Sequence, residues 1–267
     1  MPTSAWGDAV TRYFFDLTPD RVLGAMEAAG YACTGLCWPL GSYENRVYEV
    51  EVREDAARGI VKKDVSSLRR VVKFYRPGRW SRAQIQEEHD FLRDLVEDEI
   101  PAVAPERFES GETVAQTPGV EGELWYTVFP RVGGRSPDDL SDEQLERLGR
   151  LLARIHNVGA AREAKARIAL TPETYGLSNL EFLLARDWLP PEVAKAYEGA
   201  AREICRISED LFRGVRMQRI HGDCHPGNLL WSDRGPFFVD FDDMVRGPAV
   251  QDVWLLLLRQ EEPERPA

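Results

Sequence analysis

Two aspartates and an asparagine near the end of the sequence have a spacing suited to phosphoryl transfer. Segment 221–228 reads His-Gly-Asp-Cys-His-Pro-Gly-Asn, so that Asn228 follows Asp223 by five positions, and Asp240 comes after a β-hairpin pattern. Phosphoryl transfer from ATP needs a carboxylate beside the attacking hydroxyl and two oxygen ligands for magnesium. A surface loop that happens to contain these residues is the competing interpretation. Agreement at several positions, together with the hairpin, favours a phosphoryl-transfer site.

Lys73 and Glu88 form a second candidate pair. Lys73 lies within a predicted apolar strand over 71–75, where an unpaired ammonium group would lose its hydration at a large cost. On the predicted helix that follows, Glu88 comes three residues after Ile85 and shares the apolar stripe with Leu92. A lysine at a sheet edge and a glutamate at the rim of the stripe would explain these two residues alone equally well. The motif downstream, at 221–228, favours an ion pair between Lys73 and Glu88.

Two further segments could contact a nucleotide. The turn 40–46 lies upstream of Lys73, and its backbone N–H groups could bind phosphates, with Ser42 and Asn45 as additional donors. With a single glycine it is by itself no more than a hairpin turn, and its position in the chain supports the functional interpretation. Strand 126–129 leads into 130–132, where Phe129 or Val132 could cover an adenine ring. An ordinary strand end is the alternative.

Hydrophobic periodicity and turn residues predict the elements that position these groups. A helix begins at Thr18-Pro19-Asp20, and Ser81 with Gln84 predicts a capping box for a helix that ends near Asp98. Strands are predicted over 40–52, 71–75 and 124–129, with a long hairpin connection over 53–70. After a change in composition at 131–135 the pattern becomes mainly helical, with helices ending near His156 and covering 192–212 and 250–258, and a hairpin over 229–239. His156 itself is expected to be a hydrogen-bonded core histidine.

Composition excludes several classes of protein. The 267 residues contain 34 Lys+Arg against 45 Asp+Glu, a net charge of −11, which is unsuited to a nucleic-acid backbone. There is no apolar run of about 18 residues for a membrane span, and residues 1–13 lack the pattern of a secretory leader. Four cysteines in a chain of this length do not make a disulfide framework. We therefore expect a reduced, cytoplasmic protein with neither a nucleic acid nor a membrane as partner.

Taken together, these motifs resemble the aminoglycoside phosphotransferase and choline kinase superfamily, which has a protein-kinase-like fold. Within it, the sequence is most similar to the bacterial stress response kinase A family. The resemblance covers roughly 17–258, and the stretches that carry it are 42–48, 72–77, 87–89, 133–135, 221–228, 239–240 and 247–252.

This resemblance implies a two-lobed α+β protein-kinase-like fold, with an antiparallel-sheet N-lobe and a mainly helical C-lobe. We expect a nucleotide-binding lobe over 1–132, with a hinge at about 129–132, and a catalytic lobe over 133–267 that is incomplete at its C-terminus.

The same resemblance implies an ATP- and Mg²⁺-dependent kinase that phosphorylates Ser/Thr hydroxyls of proteins, itself included, during cell stress. Asp223 would be the catalytic base, and Asn228 and Asp240 the magnesium ligands. Lys73 would contact the α- and β-phosphates with Glu88 as its anchor. Asp252, on the helix that follows, would brace the catalytic loop.

Some features depart from the family or leave alternatives open. The Asp-Phe-Gly motif of kinases reads Asp-Phe-Asp at 240–242, the connection over 53–70 is longer than expected, and the chain ends at Ala267, where family members continue. A small-molecule kinase of the aminoglycoside, choline or homoserine type is the first alternative, since an acidic cleft would suit a cationic acceptor. The residues that leave it open are Asp138, Asp139, Asp242 and Asp243. A non-catalytic nucleotide-binding regulator is the second, and the intact motif residues argue against it.

The last apolar run, 253–258, carries apolar residues on every side of a predicted helix. Such a helix must be buried all round. We therefore expect that the helices that normally cover it are missing from this chain or that a partner subunit covers it. A monomer or a weak homodimer is expected.

Overall fold

The computed structural model describes residues 12–14, 16–42, 44–64, 66–119, 122–137, 140–233 and 235–257. They form two compact units. The first comprises the described residues of 12–96 and 102–134, and the second comprises 97–101 and the described residues of 135–257. Across these described ranges, no helix is both long and apolar enough to cross a membrane. The first unit contains a five-stranded sheet, and the second contains most of the helices.

An antiparallel sheet forms the centre of the first unit, with the strand order β1-β2-β3-β5-β4. Its strands are β1 (Cys33–Leu40), β2 (Arg46–Val52), β3 (Arg69–Phe74), β4 (Ala115–Gly119) and β5 (Gly122–Pro130). Two helices accompany the sheet, α1 (Pro19–Ala28) and α2 (Arg82–Glu97). As predicted, α1 has Thr18 as its cap and proline at its first position, where the missing N–H costs nothing.

One face of the sheet packs against α1. Val50, Val72 and Val128 lie on this face of the central strands and are fully buried. Their alternation with outward-facing neighbours follows the two-residue period of a strand. The hydroxyl of Tyr126 donates to the carbonyl of Ala25 at 2.9 Å. This contact and the shared apolar core hold α1 against the sheet.

The opposite face of the sheet carries Lys73 and faces α2. The strand register places Lys73 of β3 between Val47 of β2 and Thr127 of β5, so these three side chains share a face. The predicted capping box of α2 is present. The Ser81 N–H donates to Gln84 Oε1 at 2.9 Å, and the Gln84 N–H donates to Ser81 Oγ at 3.3 Å. The cap fixes where α2 begins and therefore which of its residues meet the sheet.

The second unit combines four helices with two small antiparallel sheets. The helices are α3 (Asp142–Ala161), α4 (Ser178–Ala185), α5 (Pro191–Phe212) and α6 (Val250–Leu257), and a π-helix over Pro172–Leu177 precedes α4. The strands are β6 (Gln218–Ile220) paired with β9 (Val245–Gly247), and β7 (Leu229–Ser232) paired with β8 (Gly235–Phe238). The β7–β8 hairpin agrees with the prediction.

A close approach between α3 and β6 organises this unit. A Cβ atom at Gly159 would lie 2.1 Å from the carbonyl oxygen of Arg219, so only glycine permits the contact. The Arg219 guanidinium, which is buried, donates to the carbonyl of Val158 at 2.9 Å. Because segment 221–228 directly follows β6, this contact sets where that segment starts.

The structure corrects several predicted boundaries. The first strand pair was predicted over 40–52, but β1 covers Cys33–Leu40; a register shift between Cys33 and Cys37 breaks the alternation that marks a strand. Helix α3 runs past the predicted end at His156 to Ala161, because the buried Gly159 continues the packed face. Strands β4, β6 and β9, helix α4 and the π-helix were not predicted.

Helix α6 is not buried on all sides by the described residues. Leu256 is buried, whereas Val250, Val253 and Trp254 are 64%, 38% and 45% exposed. Leu258 lies outside the described residues. Cover for this helix from further helices or from a partner subunit stays a prediction.

Candidate active site

The carboxylate of Asp252, in α6, fixes the start of segment 221–228. Its Oδ2 accepts from the backbone N–H of His221 at 2.9 Å, and its Oδ1 accepts from the N–H of Gly222 at 2.8 Å. Nε2 of His156, in α3, lies 2.9 Å from the same Oδ2. Asp252 is fully buried, which is tolerated because these donors replace the lost water. Asp252 therefore braces the segment, as the family resemblance implied, and the core histidine His156 is its partner.

Gly222 is required by the shape of this segment. Its φ is +88°, and a Cβ atom there would lie 2.0 Å from the carbonyl oxygen of Asp243. The neighbouring His221 is fully buried, and its Nδ1 accepts from the N–H of Asp223 at 3.3 Å. Its Nε2 therefore carries the proton and donates to the carbonyl of Val239 at 3.0 Å. The segment is thus tied to the residue that precedes Asp240.

Asp223 presents an oriented and accessible carboxylate. Its side chain is 42% exposed. The amide nitrogen of Asn228 donates to the Asp223 carbonyl at 3.0 Å and to Oδ2 at 3.2 Å. Nδ1 of His225 accepts from the N–H of Gly227 at 3.0 Å, so Nε2 of that ring carries the proton. This Nε2 atom lies 3.5 Å from Asp223 Oδ2. A carboxylate held in this way is suited to accept a proton from a hydroxyl group.

Asp240 stands beside Asn228 because of the β7–β8 hairpin. The N–H of Val239 donates to the carbonyl of Asn228 at 2.9 Å, which places Asp240 next to that pair. Asp240 itself is exposed and has a left-handed backbone with φ +60°. Behind it, the buried Arg167 guanidinium donates to the carbonyl of Asp242 at 2.5 Å. The structure thus brings Asp223, Asn228 and Asp240 into one constellation.

The donor set of this constellation fits a hard divalent cation. The amide nitrogen of Asn228 donates to Asp223, so the amide oxygen is the atom that Asn228 could offer to a cation, and Asp240 could offer a carboxylate. Across the described parts of the chain, no group of three His, Cys, Asp or Glu side chains could hold a metal ion. Magnesium is usually bound by one or two protein oxygens together with substrate phosphates and water. Asn228 and Asp240 match that kind of site.

The first unit contains the predicted ion pair. Lys73 Nζ lies 3.2 Å from Glu88 Oε1, and the two side chains are 7% and 1% exposed. Glu88 lies on the buried stripe of α2, with Ile85 and Leu92. Burial of two charges is costly unless they are paired and hydrogen-bonded. The pair therefore holds the Lys73 ammonium at a fixed position on this face of the sheet.

The turn before β2 is tied to the end of β3 by the side chain of Asn45. Its Oδ1 accepts from the N–H of Arg76 at 3.0 Å, and Asn45 is 4% exposed. The hydroxyl of Ser42 donates to the Asn45 carbonyl at 3.0 Å. Both side chains thus shape the turn, and their role as donors to phosphates stays a prediction. Tyr43 lies outside the described residues.

The segment that contains Val132 is attached to the sheet through Glu49. Arg131 Nε lies 2.8 Å from Glu49 Oε2, and Arg69 Nη1 lies 2.5 Å from Glu49 Oε1. Burial alone would raise the pKa of Glu49, but the hydrogen bonds and charges of the two arginines lower it. Glu49 is therefore held as a carboxylate. Phe129 and Val132 are both half-buried, and a role against adenine stays a prediction.

Apolar residues next to Lys73 were missed by the sequence reasoning. Val47 lies directly opposite Lys73, Leu40 opposite Val47, and Val71 opposite Phe129. These residues share the face that carries Lys73 and belong with Phe129 as candidates for contact with a flat ring. The signal that identifies them is the register between paired strands, which the pattern within each single strand does not specify.

Comparisons with known proteins agree with this geometry. Residues 39–267 match the family model described as phosphotransferase enzyme family. Stress response kinase A from Escherichia coli (strain K12) is 36% identical over 260 residues, which cover 94% of this chain and 72% of that protein. This chain belongs to that family. A Salmonella typhimurium (strain LT2) protein named serine/threonine protein kinase RdoA is also 36% identical, over 253 residues, with the same coverage. The chain is accordingly a kinase of the phosphotransferase family.

Solved structures confirm the α+β, protein-kinase-like fold class. Amicoumacin kinase hAmiN, crystallised with AMP-PNP, Ca²⁺ and Ami, has a TM-score of 0.64 at 21% identity, covering 89% of this chain and 68% of that one. A microcompartment-associated aminopropanol kinase has a TM-score of 0.60 at 20% identity, covering 88% of this chain and 74% of that one. At this level of identity the likeness concerns the fold alone.

Proposed function

We propose that this kinase transfers the γ-phosphate of ATP to Ser/Thr hydroxyls of proteins, its own chain included, as part of a response to cell stress. The observation that carries the proposal is the Asp223 carboxylate, which is accessible to solvent and is oriented by a hydrogen bond from Asn228. The start of its segment is fixed by backbone hydrogen bonds to the buried Asp252. A relative at 36% identity is named as a serine/threonine protein kinase, which supports a protein acceptor.

In the proposed reaction, Asp223 is the base. The oxygen of the acceptor hydroxyl forms a bond to the γ-phosphorus, the bond from that phosphorus to the bridging oxygen of ADP breaks, and the hydroxyl proton passes to an oxygen of the Asp223 carboxylate. The hydrogen bond from Asn228 to Oδ2 restricts rotation of the carboxylate. Fixed orientation of a base and its substrate removes an entropic part of the barrier.

Lys73 is assigned to the α- and β-phosphates of ATP, and Glu88 anchors it. Nζ of Lys73 lies 3.2 Å from a buried carboxylate oxygen of Glu88, and an ammonium group has three N–H donors. Ser42 and Asn45 shape the turn that would cover the phosphates, and Phe129 and Val132 would pack against the adenine ring. These assignments belong to the same proposal.

Asn228 and Asp240 would hold a divalent cation, Mg²⁺ in the cell. When bound, the cation neutralises charge on the phosphate oxygens of ATP. The chain's own contribution is the pair of oxygen ligands that the β7–β8 hairpin brings side by side.

The acceptor is proposed to be a protein rather than a cationic small molecule. The small-molecule alternative depended on acidic residues in the acceptor cleft. Asp242 is 3% exposed, so its carboxylate is unsuited to that role, and Asp243 is half-buried. Asp138 and Asp139 lie outside the described residues. We place the enzyme in the cytoplasm, where ATP is available, and the four cysteines are free thiols.

Transfer of label from [γ-³²P]ATP with Mg²⁺ tests this function. Acceptors are casein, the chain itself, and a panel of aminoglycosides and choline. We expect label on protein Ser/Thr with the parent protein and a loss of at least about a thousandfold with Asp223→Asn, since the base is removed at constant shape. The matched control is Asp233→Asn, which makes the same change at an exposed position of the β7–β8 turn and leaves the rate unchanged.

Two results would contradict the proposal. One is label on a small molecule with none on protein. The other is protein labelling that persists in Asp223→Asn.

A further inference from the structure

A chain of buried polar groups adjoins the Lys73–Glu88 pair. The hydroxyl of Tyr75, just after β3, lies 3.5 Å from Glu88 Oε2 and 2.9 Å from Nε2 of His89. Nδ1 of His89 lies 2.7 Å from the hydroxyl of Thr113. Tyr75, His89 and Thr113 are 2%, 1% and 4% exposed. The chain thus connects the carboxylate to the loop before β4 without contact with solvent.

Tyr75 touches both members of the ion pair. Its hydroxyl contacts Glu88, and Lys73 Nζ lies 4.9 Å from the centre of its ring. At that distance the ring attracts the ammonium group. A displacement of Tyr75 would therefore act on the carboxylate and on the ammonium group together.

The hydrogen bonds of the chain run in one direction. An ionised Glu88 carboxylate can only accept, so Tyr75 donates to it and accepts from Nε2–H of His89. Nδ1 of His89 then accepts from the Thr113 hydroxyl. The Thr113 carbonyl in turn accepts from the hydroxyl of Thr127, the β5 residue opposite Lys73. The chain therefore links Glu88, the ion-pair partner of Lys73, to Thr127, which lies opposite Lys73 in the sheet.

If packing were the only requirement, apolar side chains would fill the space occupied by these buried polar groups at a lower desolvation cost. Four of the buried residues of α2 are apolar, namely Ile85, Phe91, Leu92 and Leu95, and His89 is buried among them. A buried imidazole loses hydration that its partners must replace, and such networks stabilise one arrangement of the groups rather than the fold in general. The arrangement that this network selects is the position of Glu88.

We propose that Tyr75 and His89 are positioning residues for ATP binding. They hold Glu88 in the rotamer that aims Lys73 at the phosphates. The inference rests on the proposed role of Lys73 and extends it to two residues that contact neither the nucleotide nor the reacting atoms.

Isothermal titration of AMP-PNP with Mg²⁺ tests this inference in the full chain. Variants are Tyr75→Phe, His89→Leu, His89→Gln, Glu88→Gln and the double variant with Glu88→Gln and His89→Leu. We expect His89→Leu and Tyr75→Phe to weaken binding about tenfold, the equivalent of one well-formed hydrogen bond. His89→Gln, which can donate and accept, restores most of the affinity. In the Glu88→Gln background, His89→Leu adds little, because its effect passes through Glu88.

Kinetics separate positioning from general loss of structure. In phosphate transfer, His89→Leu and Tyr75→Phe should raise KM for ATP and leave KM for the protein acceptor unchanged. Ile85→Val is the matched control on the same helix stripe, since it removes one buried methylene without touching the polar chain, and it should bind AMP-PNP as the parent does.

Either of two results overturns the inference. One is affinity of Tyr75→Phe and His89→Leu within about twofold of the parent, and the other is full additivity of Glu88→Gln with His89→Leu. Since titration needs no acceptor, failure of the proposed protein phosphorylation has a different signature, namely absent transfer by a parent protein that binds AMP-PNP.

Discussion

Replacement of Asp252 by asparagine tests how the catalytic segment is held. The parent carboxylate accepts from three donors, namely the N–H groups of His221 and Gly222 and Nε2 of His156, at 2.8–2.9 Å. Asparagine has the same shape but only one acceptor oxygen. With that oxygen in the place of Oδ2, the amide nitrogen faces the N–H of Gly222, so two donors meet in a fully buried position.

The expected cost follows from these contacts. A hydrogen bond to a charged group contributes about 1.5–3 kcal/mol, and a buried donor left without a partner costs about 1–3 kcal/mol more. We therefore expect Asp252→Asn to lower the free energy of unfolding of the second unit by about 3–5 kcal/mol, the range seen when a buried charge interaction is broken. With the amide in the reverse orientation, its oxygen accepts from Gly222 alone and the hydrogen bonds to His221 and His156 are lost, so the expected destabilisation is no smaller.

Equilibrium urea unfolding, followed by tryptophan fluorescence and far-UV circular dichroism, measures this loss. Val250→Ala on the same helix is the control, since Val250 is 64% exposed and its truncation should change the free energy of unfolding by at most about 0.5 kcal/mol. The rate of phosphate transfer should fall in Asp252→Asn. The loss should appear mainly in kcat, with little change in KM for ATP, because the displaced group is the proposed base, Asp223.

A free energy of unfolding within about 1 kcal/mol of the parent, together with a parental kcat, would refute this account of Asp252.

Three further expectations concern positions away from that carboxylate. Gly222→Ala should abolish soluble expression, since its Cβ would lie 2.0 Å from the Asp243 carbonyl, whereas Gly199→Ala, with open space on α5, should raise the unfolding midpoint slightly. Burial, together with two nearby aspartates, raises the pKa of the Cys224 thiol, so its labelling by a disulfide reagent should stay slow in the native protein at pH 8 and become fast in urea. The pKa of Glu49 is lowered below its usual 4.5. The stabilisation that Glu49 provides should therefore be complete above about pH 5 and disappear as the pH falls through the lowered pKa. The free energies of unfolding of the parent and of Glu49→Gln, measured in urea, should accordingly converge in acid.

The proximity of Asp223, Asn228 and Asp240 could be predicted because these residues are close in sequence. Asp223 and Asn228 share one segment, and Asp240 follows a single hairpin whose apolar strands and turn residues are easily recognised. Partners from distant elements gave no such signal. His156 reaches Asp252 across 96 positions, and nothing in either local pattern pairs them.

The buried network around Glu88 shows the same limit. A stripe at helical spacing placed Glu88 toward the sheet, and the ion pair with Lys73 followed. The contact of Tyr75 with His89, and of His89 with Thr113, depends on side-chain directions and on a loop whose path the sequence does not specify.

Regular elements were predicted where the hydrophobic period is strong. The Thr18-Pro19 start, the capping box of Ser81 with Gln84, and the periodic stripes located α1, α2 and α5 to within a few residues. β1 was mostly missed because its register shifts at the edge of the sheet, and β4 because its five residues include proline and glycine. Short edge strands carry little alternation, since only one neighbour constrains them.

The central claim is that Asp223 drives transfer of the γ-phosphate of ATP to a protein hydroxyl. Phosphoamino-acid analysis of the labelled chain and of labelled casein, compared between the parent and Asp223→Asn at equal AMP-PNP affinity, tests it most directly. The account predicts phosphoserine or phosphothreonine with the parent protein, and none above background with the variant. Equal phosphoserine and phosphothreonine in the two proteins would contradict it.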